Sequence, residues 1–315
     1  CITPALIVGA FAERVKFAPL MLFVVAWLTI VYFPIAHMVW YWAGPDFLVD
    51  APADMGYLWG MGALDFAGGT VVHINAGIAG LVGCIMIGKR IGYGKEATPP
   101  HSLTMTMIGA SLLWVGWFGF NAGSALAADG AAGMAMLVTH IGAATGALTW
   151  LFCEWIRYGK PSVLGIVTGM VAGLATITPA SGSVGAAGGL LIGIMGGAIC
   201  FTATYYLKRK VKIDDSLDVF PVHGVGGILG TFLAGILVSQ NLGVFSGNGY
   251  AEGMTMGSQL VVQVIGIVAT GAYTAVVTII LLKVVSALTS GLRVTADEEQ
   301  MGLDISDHDE KGYSM

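Results

Sequence analysis

Charged side chains are scarce in this sequence. Only 14 Lys and Arg and 19 Asp and Glu occur among 315 residues, so charged residues make up 10% of the chain. A soluble domain carries about 25% charged residues because its surface faces water. The polar surface is therefore too small to enclose a soluble globule. The low basic content also excludes the positive footprint of a nucleic-acid-binding protein.

Cysteine is rare as well, and the four residues Cys1, Cys84, Cys153 and Cys200 form no closely spaced pair. This spacing does not fit a CxxC site, and three of the four lie in or beside apolar stretches, so we expect thiols buried in membrane helices. The apolar segment 1–11 is too short to cross a bilayer, which takes about 20 residues. We expect it to be the end of a helix that begins upstream.

Long hydrophobic runs are what the sequence has instead. Hydrophobic residues make up 56% of the chain, and the mean hydropathy is +0.80. Such a composition predicts an all-α polytopic membrane protein. The apolar runs cover 1–11, 18–40, 66–88, 103–127, 131–152, 162–178, 184–207, 219–238 and 257–282.

The basic residues fall only in alternate connectors between these runs. They are Arg14, Lys16, Lys89, Arg90, Lys95, Arg157, Lys160, Lys208, Arg209, Lys210, Lys212, Lys283, Arg293 and Lys311. Lys and Arg are absent from the opposite connectors 41–64, 128–130, 179–183 and 239–256. The positive-inside rule places the basic side in the cytoplasm. We expect a transmembrane domain over 1–283 and a cytoplasmic tail over 284–315.

Glycine is abundant, with 47 residues, and part of it is periodic. Gly185, Gly189, Gly193 and Gly197 recur every fourth residue, and a similar spacing occurs around 76–83. Small residues at this spacing let neighbouring membrane helices approach closely. We expect most of these glycines to pack helices together.

Two apolar runs contain a histidine, and an aspartate precedes each. Asp65 precedes His73 in DFAGGTVVHINAGIAGLVG, and Asp218 precedes His223 in DVFPVHGVGGILG. Glycine follows each histidine at +4 and +7, on the same helix face. Both histidines are therefore expected on faces that pack against other helices. The glycines are Gly77, Gly80, Gly227 and Gly230.

The two histidine helices run in opposite directions according to the charge pattern. Similar helices of opposite direction indicate an inverted repeat, whose substrate site lies at the repeat interface. Four runs, 103–207, precede the second histidine helix, so the repeat unit has five helices and the first unit begins before Cys1.

A single buried histidine is most often hydrogen-bonded within the fold, but two related ones on opposed repeats favour a facing pair that lines a pathway. A zinc site is the next alternative, and it requires further ligands. His37 and His140 lack repeat partners, so we interpret them as packing residues.

An aromatic cluster lies toward the outer end of the predicted helices. Trp40 ends one helix, and Phe120 and Ser124 share one face of another. An aromatic ring beside a hydroxyl can hold a small cation through cation–π attraction and a hydrogen bond. Asp65 begins its helix at the same level, and capping is its expected role.

Several long strings of this chain resemble the Amt branch of the ammonium transporter (Amt/Mep/Rh) family. They are PIAHMVW, GALDFAGGTVVHINAGIAGLVG, GWFGFNAGSA, DVFPVHGVGGILG and the tail GLRV…EE…GLD. The resemblance implies eleven helices in two inverted five-helix repeats plus a final helix, of which about nine are present here. It also implies a homotrimer with one pore in each subunit.

The resemblance implies roles for seven residues. They are an outer recruitment site and gate at Trp40, Phe120 and Ser124, twin pore histidines His73 and His223, a pore-wall Trp117, and a supporting acid, Asp65. The family's second gating phenylalanine would fall just before Cys1. The tail departs from the family at Ser306–Glu310, where glycine is favoured after the histidine.

The function implied is transport of ammonium or ammonia across the cell (plasma or inner) membrane, without enzymatic activity or a cofactor. The tail could dock a soluble PII-type signal protein. An ammonium sensor and an Rh-type gas channel are the alternatives. An intramembrane hydrolase is disfavoured, because no nucleophile–base pair or metal-ligand set is evident.

Overall fold

The structure is a computed structural model that describes residues 1–42 and 54–312. Eight helices in this part of the chain are long and apolar enough to cross a membrane, and a ninth, short helix precedes them. The membrane-domain helices are α1 (Ile2–Val8), α2 (Phe17–Trp40), α3 (Gly69–Ile87), α4 (Leu103–Gly123), α5 (Gly130–Tyr158), α6 (Val163–Ala180), α7 (Ala186–Val211), α8 (Phe220–Leu237) and α9 (Met256–Leu288).

The predicted all-α membrane fold is confirmed. The described residues contain no β-strand, and short helices α10 (Ala296–Met301) and α11 (Leu303–His308) follow in the tail. A further short helix, Tyr57–Gly60, lies in the connector before α3.

Several helices extend beyond the apolar runs that predicted them. The apolar runs that end at residues 152, 207 and 282 correspond to helices α5, α7 and α9, which end at Tyr158, Val211 and Leu288. An apolar run ends at the first polar side chains. The helix itself can continue into the interfacial region, because it satisfies its own backbone hydrogen bonds. The run 103–127 is shorter as a helix, since α4 ends at Gly123.

Helices α3 and α8 cross in opposite directions at the centre of the domain. A methyl group on Gly80 would lie 3.1 Å from the side chain of Val219, and one on Gly77 would lie 2.3 Å from the backbone of Gly224. Residue numbers rise along one helix as they fall along the other, so the helices are antiparallel. This direction is the one that the charge pattern predicted.

Glycine also packs α7 against α5. Methyl groups on Gly189, Gly193 and Gly197 would lie within 3.0 Å of atoms of α5. Such close contact explains the four-residue spacing, because any larger side chain would separate the helices. Gly185 is different, since it precedes α7 as its N-cap residue.

The last transmembrane helix carries a buried polar stripe. One face of α9 carries five buried polar residues, which are Gln259, Gln263, Thr270, Thr274 and Thr278. The Thr274 hydroxyl donates to the Asn75 side chain in α3 at 2.7 Å, and the Trp27 indole in α2 donates to Thr278 at 3.0 Å. Helix α9 therefore holds helices of the first half through hydrogen bonds as well as packing.

The end of the domain that carries the basic connectors, here called the basic face, is held by a buried arginine. Arg14 is fully buried and donates to the carbonyls of Gly88 at 2.7 Å and Asp214 at 2.6 Å. Arg90 forms a salt bridge with the buried Asp214 at 2.8 Å. Although burial opposes ionisation, the Arg90 side chain holds the pKa of Asp214 below its usual value.

Candidate functional site

His73 and His223 face one another between α3 and α8. Their Nδ1 atoms lie 3.2 Å apart, and their ring centroids are separated by 5.2 Å at an interplanar angle of 18°. Both side chains are buried. The structure thus brings together the two histidines that the sequence predicted as a pair.

The hydrogen bond between the two Nδ1 atoms determines the protonation pattern of a neutral pair. One Nδ1 must carry the proton and the other must accept it. The first ring then has a bare Nε2, and the second has an Nε2–H group. The pair consequently offers one acceptor and one donor to a small molecule.

The local backbone at each histidine is π-helical. The segments Gly69–Ile74 and Phe220–Gly224 have this form, and a 13-residue α-helix follows each of them. Short π-helical segments often occur at functional sites because they re-aim side chains. A methyl group on Gly227 would lie 2.9 Å from the His73 Cβ, so the absence of a side chain there permits the close approach.

Two aromatic residues of α4 cover the histidine pair on one side. Trp117 stacks on His73 with centroids 5.4 Å apart, and its indole N–H donates to the Thr178 hydroxyl at 2.8 Å. Phe120 meets Trp117 edge-on at 5.8 Å and His73 at 6.4 Å. The buried His73 Nε2 has no hydrogen-bond partner. An unpartnered nitrogen beside aromatic rings is suited to a transient polar ligand.

Trp40 and Ser124 lie beyond this stack. The Trp40 indole N–H donates to the Asp65 carbonyl at 2.7 Å, and the ring belongs to the same apolar cluster as Phe120. Ser124 is the C-cap of α4, one turn beyond Phe120, whose carbonyl accepts from the Ser124 hydroxyl at 2.9 Å. The serine oxygen retains lone pairs that can accept another hydrogen bond.

Asp65 caps the start of α3. Its carboxylate accepts from the backbone amides of Gly68, Gly69, Thr70 and Val71, and from the Thr70 hydroxyl. Burial raises the pKa of Asp65, although the Thr70 hydroxyl and the backbone amides lower it. Because protein donors occupy both oxygens, Asp65 orients the start of the histidine helix rather than projecting into open space.

The aspartate that caps the second histidine helix is one that the sequence analysis did not identify. Asp215, and not Asp218, accepts from the Val219 and Phe220 amides at the start of α8, at 2.9 and 2.7 Å. Burial and the charge of Asp218 raise the pKa of Asp215 to about 7. A spacing of eight residues before each histidine could have identified this counterpart of Asp65.

Asp218 has a different partner. It forms a salt bridge with Lys208 at 2.8 Å and does not cap α8. Its backbone φ of 59° lies in the left-handed region, which aspartate tolerates better than most residues. This conformation turns the chain between α7 and α8.

The other intramembrane histidines pack against aromatic rings. His37 stacks on Tyr41 at 4.4 Å, and His140 lies 5.1 Å from Trp114. Within residues 1–42 and 54–312, no three His, Cys, Asp or Glu side chains are grouped as metal ligands. The facing histidines therefore lack the further ligands that zinc usually takes.

The eight long apolar helices in the described part of the chain are those of a multi-pass membrane protein. Two of them are antiparallel and hold a pair of histidines inside an apolar region lined by aromatic rings. The profile of the Ammonium Transporter Family matches residues 1–313. The chain belongs to this family, which consists of transporters and not enzymes.

Curated relatives agree with this membership. The chain is 46% identical to ammonium transporter Amt1 of Archaeoglobus fulgidus over 315 residues, covering 99% of this chain and 75% of that protein. It is 43% identical to the ammonium transporter of Bacillus subtilis over 314 residues, covering 99% and 73%. The match therefore spans about three quarters of each relative.

Solved structures are similar as well. A protein described as a sensor Amt protein matches with a TM-score of 0.85 at 28% identity, covering 97% of this chain and 74% of that one. Mep2 of Candida albicans matches with a TM-score of 0.81 at 37% identity, covering 94% and 64%.

Proposed function

We propose that this protein transports ammonium by recruiting the ion at Trp40, Phe120 and Ser124, removing a proton and conducting ammonia past His73 and His223. The observation that carries this proposal is the imidazole pair, 3.2 Å apart and covered by Trp117 and Phe120. The relatives named as ammonium transporters support the choice of substrate.

Deprotonation follows from the cost of moving a cation into an apolar passage. The idealised transfer of an ammonium-sized ion into a medium of low dielectric constant costs on the order of 20 kcal/mol. Desolvation lowers the pKa of a cation, so a narrow apolar path favours ammonia. Potassium has no proton to lose and is rejected.

The histidine pair compensates for lost water. Ammonia can donate to the bare Nε2 of one ring and accept from the Nε2–H of the other. The Nδ1–Nδ1 hydrogen bond keeps these two roles complementary. When the bare Nε2 of the first ring takes up a proton, the shared Nδ1 proton can pass to the second ring, which then releases its Nε2 proton. His73 and His223 thus offer both hydrogen bonding to ammonia and a route for a proton.

The outer aromatic residues supply the recruitment site in this proposal. Ring faces attract a small cation, and a desolvated cation–π contact contributes about 2 kcal/mol. The Ser124 oxygen can accept one ammonium N–H, because its own proton is directed to the Phe120 carbonyl. Asp65 supports transport by fixing the helix start, since its oxygens are already bonded.

We also propose a homotrimer in the cell (plasma or inner) membrane, with the tail in the cytoplasm. The placement of every Lys and Arg toward one side supports this orientation. Exposed apolar side chains on α4, such as Leu112 and Val115, offer a surface to lipid or a neighbouring subunit. A PII-type signal protein that docks on the tail remains a proposal by family resemblance.

Reconstitution tests the proposed function. Full-length protein in liposomes that contain a pH-sensitive dye is exposed to an ammonium pulse, with potassium pulses and protein-free liposomes as controls. We expect an internal pH change with ammonium only, faster than in protein-free liposomes. An identical response with and without protein would contradict transport and favour the sensor alternative.

A further inference from the structure

A cavity of about 200 Å³ lies at the basic face, where α5 and α7 end and α6 begins. Trp150 and Phe201 form its apolar wall, and Lys208, Arg209 and Asp218 line its polar side. None of the residues assigned above to recruitment or conduction borders it. The cavity is therefore a separate feature of the domain.

Two buried polar atoms at this cavity lack partners. They are the Thr204 hydroxyl oxygen and Asp218 Oδ1. Asp218 Oδ2 accepts from Lys208 at 2.8 Å, so only one oxygen of this carboxylate is satisfied. A buried polar atom without a partner is destabilising by about 1–3 kcal/mol, so a hydrogen-bond donor from outside the chain would be stabilising here.

Unused positive groups border the same space. Lys208 uses one N–H on Asp218 and retains further donors. Arg209 forms no salt bridge with any residue in the described part of the chain. Glu154 also lines the cavity, and its carboxylate keeps its negative charge while it accepts from the Ser162 amide and hydroxyl at 2.7 and 2.9 Å. The cavity thus has two basic side chains, of which Arg209 forms no ion pair among the described residues, and two carboxylates, of which Asp218 has one oxygen without a partner.

The surrounding side chains place this cavity at the depth of lipid headgroups. Tyr158 lines the cavity and is exposed, and Trp155 and Tyr206 are exposed on the two helices that end there, as is typical of aromatic residues at a membrane interface. Arg157 lies over the ring of Tyr205 at 4.2 Å. Basic pockets between transmembrane helices at this level are suited to phospholipid headgroups.

We propose that this cavity binds the headgroup of a membrane phospholipid that carries a hydrogen-bond donor beside its phosphate. The phosphate contacts Lys208 and Arg209, and the donor, a hydroxyl or an ammonium group, bonds to Asp218 Oδ1. The exposed Leu164 at the cavity offers apolar surface to the first acyl carbons. Phosphatidylglycerol and phosphatidylethanolamine meet these requirements, whereas phosphatidylcholine lacks the donor.

The test measures lipid binding to the purified full-length protein by native mass spectrometry and thermal unfolding. We expect phosphatidylglycerol and phosphatidylethanolamine to bind and to raise the unfolding midpoint more than phosphatidylcholine. Arg209→Gln should weaken this binding roughly tenfold, as expected for loss of a charge-assisted hydrogen bond. Asp218→Asn should reduce the preference over phosphatidylcholine.

Lys210→Gln is the matched control, because Lys210 belongs to the same basic run but does not line the cavity. Its lipid binding should equal that of the unmodified protein. The proposal is overturned if Arg209→Gln and Lys210→Gln have the same effect, or if phosphatidylcholine binds as well as phosphatidylglycerol. Equal binding of soluble glycerol phosphate would also overturn it, by showing a phosphate site instead.

Discussion

At the scale of single residues, most polar atoms around the histidine pair are hydrogen-bonded. The Trp117 indole is bonded to Thr178, the Trp40 indole to the Asp65 carbonyl, and each Nδ1 of the histidine pair to the other. The His73 Nε2 is one of the buried polar atoms without a partner, and it belongs to the facing histidine pair. A polar group left free in an apolar environment points to a ligand that passes by.

Replacing Ser124 tests the recruitment site. Ser124→Leu removes the proposed acceptor for ammonium, so the apparent affinity should fall about fivefold, equivalent to ~1 kcal/mol for one hydrogen bond. Ser111→Leu is the control, because Ser111 makes the same type of local bond on an exposed part of α4. Unchanged uptake at low ammonium in Ser124→Leu would remove Ser124 from the site.

At the scale of elements, α3 and α8 are related by more than their histidines. An aspartate eight residues before the histidine caps each helix start, and each histidine lies in a π-helical segment. The sequence predicted the opposed helices and the close glycines from spacing and charge alone. It could not predict the π-helical segments, because these depend on packing between the two helices.

The capping role of Asp215 was not evident from the sequence, for a physical reason. Asp214, Asp215 and Asp218 are close in sequence, so the sequence alone does not distinguish their partners. The fold gives each a different partner: Arg90 for Asp214, the amides of α8 for Asp215, and Lys208 for Asp218. Such choices depend on contacts across the chain.

Asp215→Asn should change how stability depends on pH. Burial raises the pKa of Asp215 to about 7, above the value of about 3.9 for an unfolded chain. The stabilising contribution of Asp215 to the free energy of unfolding is therefore complete below about pH 4 and is lost as the pH rises through about 7. As the pH is raised from about 4 to about 7, the thermal unfolding midpoint should fall less for Asp215→Asn than for the unmodified protein.

The exposed helix cap Asp129 supplies the control for this measurement. Asp129→Asn also removes a capping carboxylate, but from a position in contact with solvent. If the pH curves of Asp215→Asn and the unmodified protein have the same slope in detergent, the buried carboxyl does not titrate as described.

Gln263 links the last helix to the Asp65 segment. Its side chain accepts from the Leu64 amide and donates to the Leu64 carbonyl, both at 2.8 Å, and also donates to the Thr231 carbonyl at 2.9 Å. Gln263→Leu should lower both the unfolding midpoint and the apparent ammonium affinity, because Asp65 adjoins Leu64. The leucine would leave buried backbone groups unpaired, each destabilising by about 1–3 kcal/mol.

Thr278→Val provides the comparison, since Thr278 lies on the same buried stripe and bonds to Trp27 instead. It should lower stability while leaving the affinity unchanged. Equal loss of affinity in both variants would show that Gln263 acts only through general stability.

At the scale of the whole molecule, the tail is attached to the membrane domain at the basic face. The Lys16 amide donates to the Leu292 carbonyl at 2.9 Å, and Arg293 donates to the Ile87 carbonyl at 3.2 Å. Glu299 accepts from Arg293 and from the Ile91 amide, both at 2.8 Å. The tail thus joins two connectors that are distant in sequence, an arrangement that the predicted boundary at 283 did not reveal.

Glu299→Gln should loosen this attachment. Loss of the ion pair, worth up to ~1 kcal/mol where partly exposed, should speed hydrogen exchange of the tail amides about fivefold. Asp307→Asn is the control, because within residues 1–42 and 54–312 the Asp307 side chain accepts a hydrogen bond only from its neighbour Ser306. Equal exchange in the two variants would show that the ion pair does not hold the tail.

The central claim is that ammonium loses a proton and ammonia then passes a neutral histidine pair. A measurement of ion selectivity tests this claim most directly. Current and internal pH are recorded together during ammonium and potassium pulses for the unmodified protein, the double variant His73→Ala/His223→Ala and the control His140→Ala. We expect the unmodified protein and the control to respond to ammonium alone, and the ammonium-to-potassium ratio of the double variant to fall roughly tenfold, ~1.4 kcal/mol of lost discrimination. An unchanged ratio in the double variant, or an equal potassium response in the unmodified protein, would contradict the account.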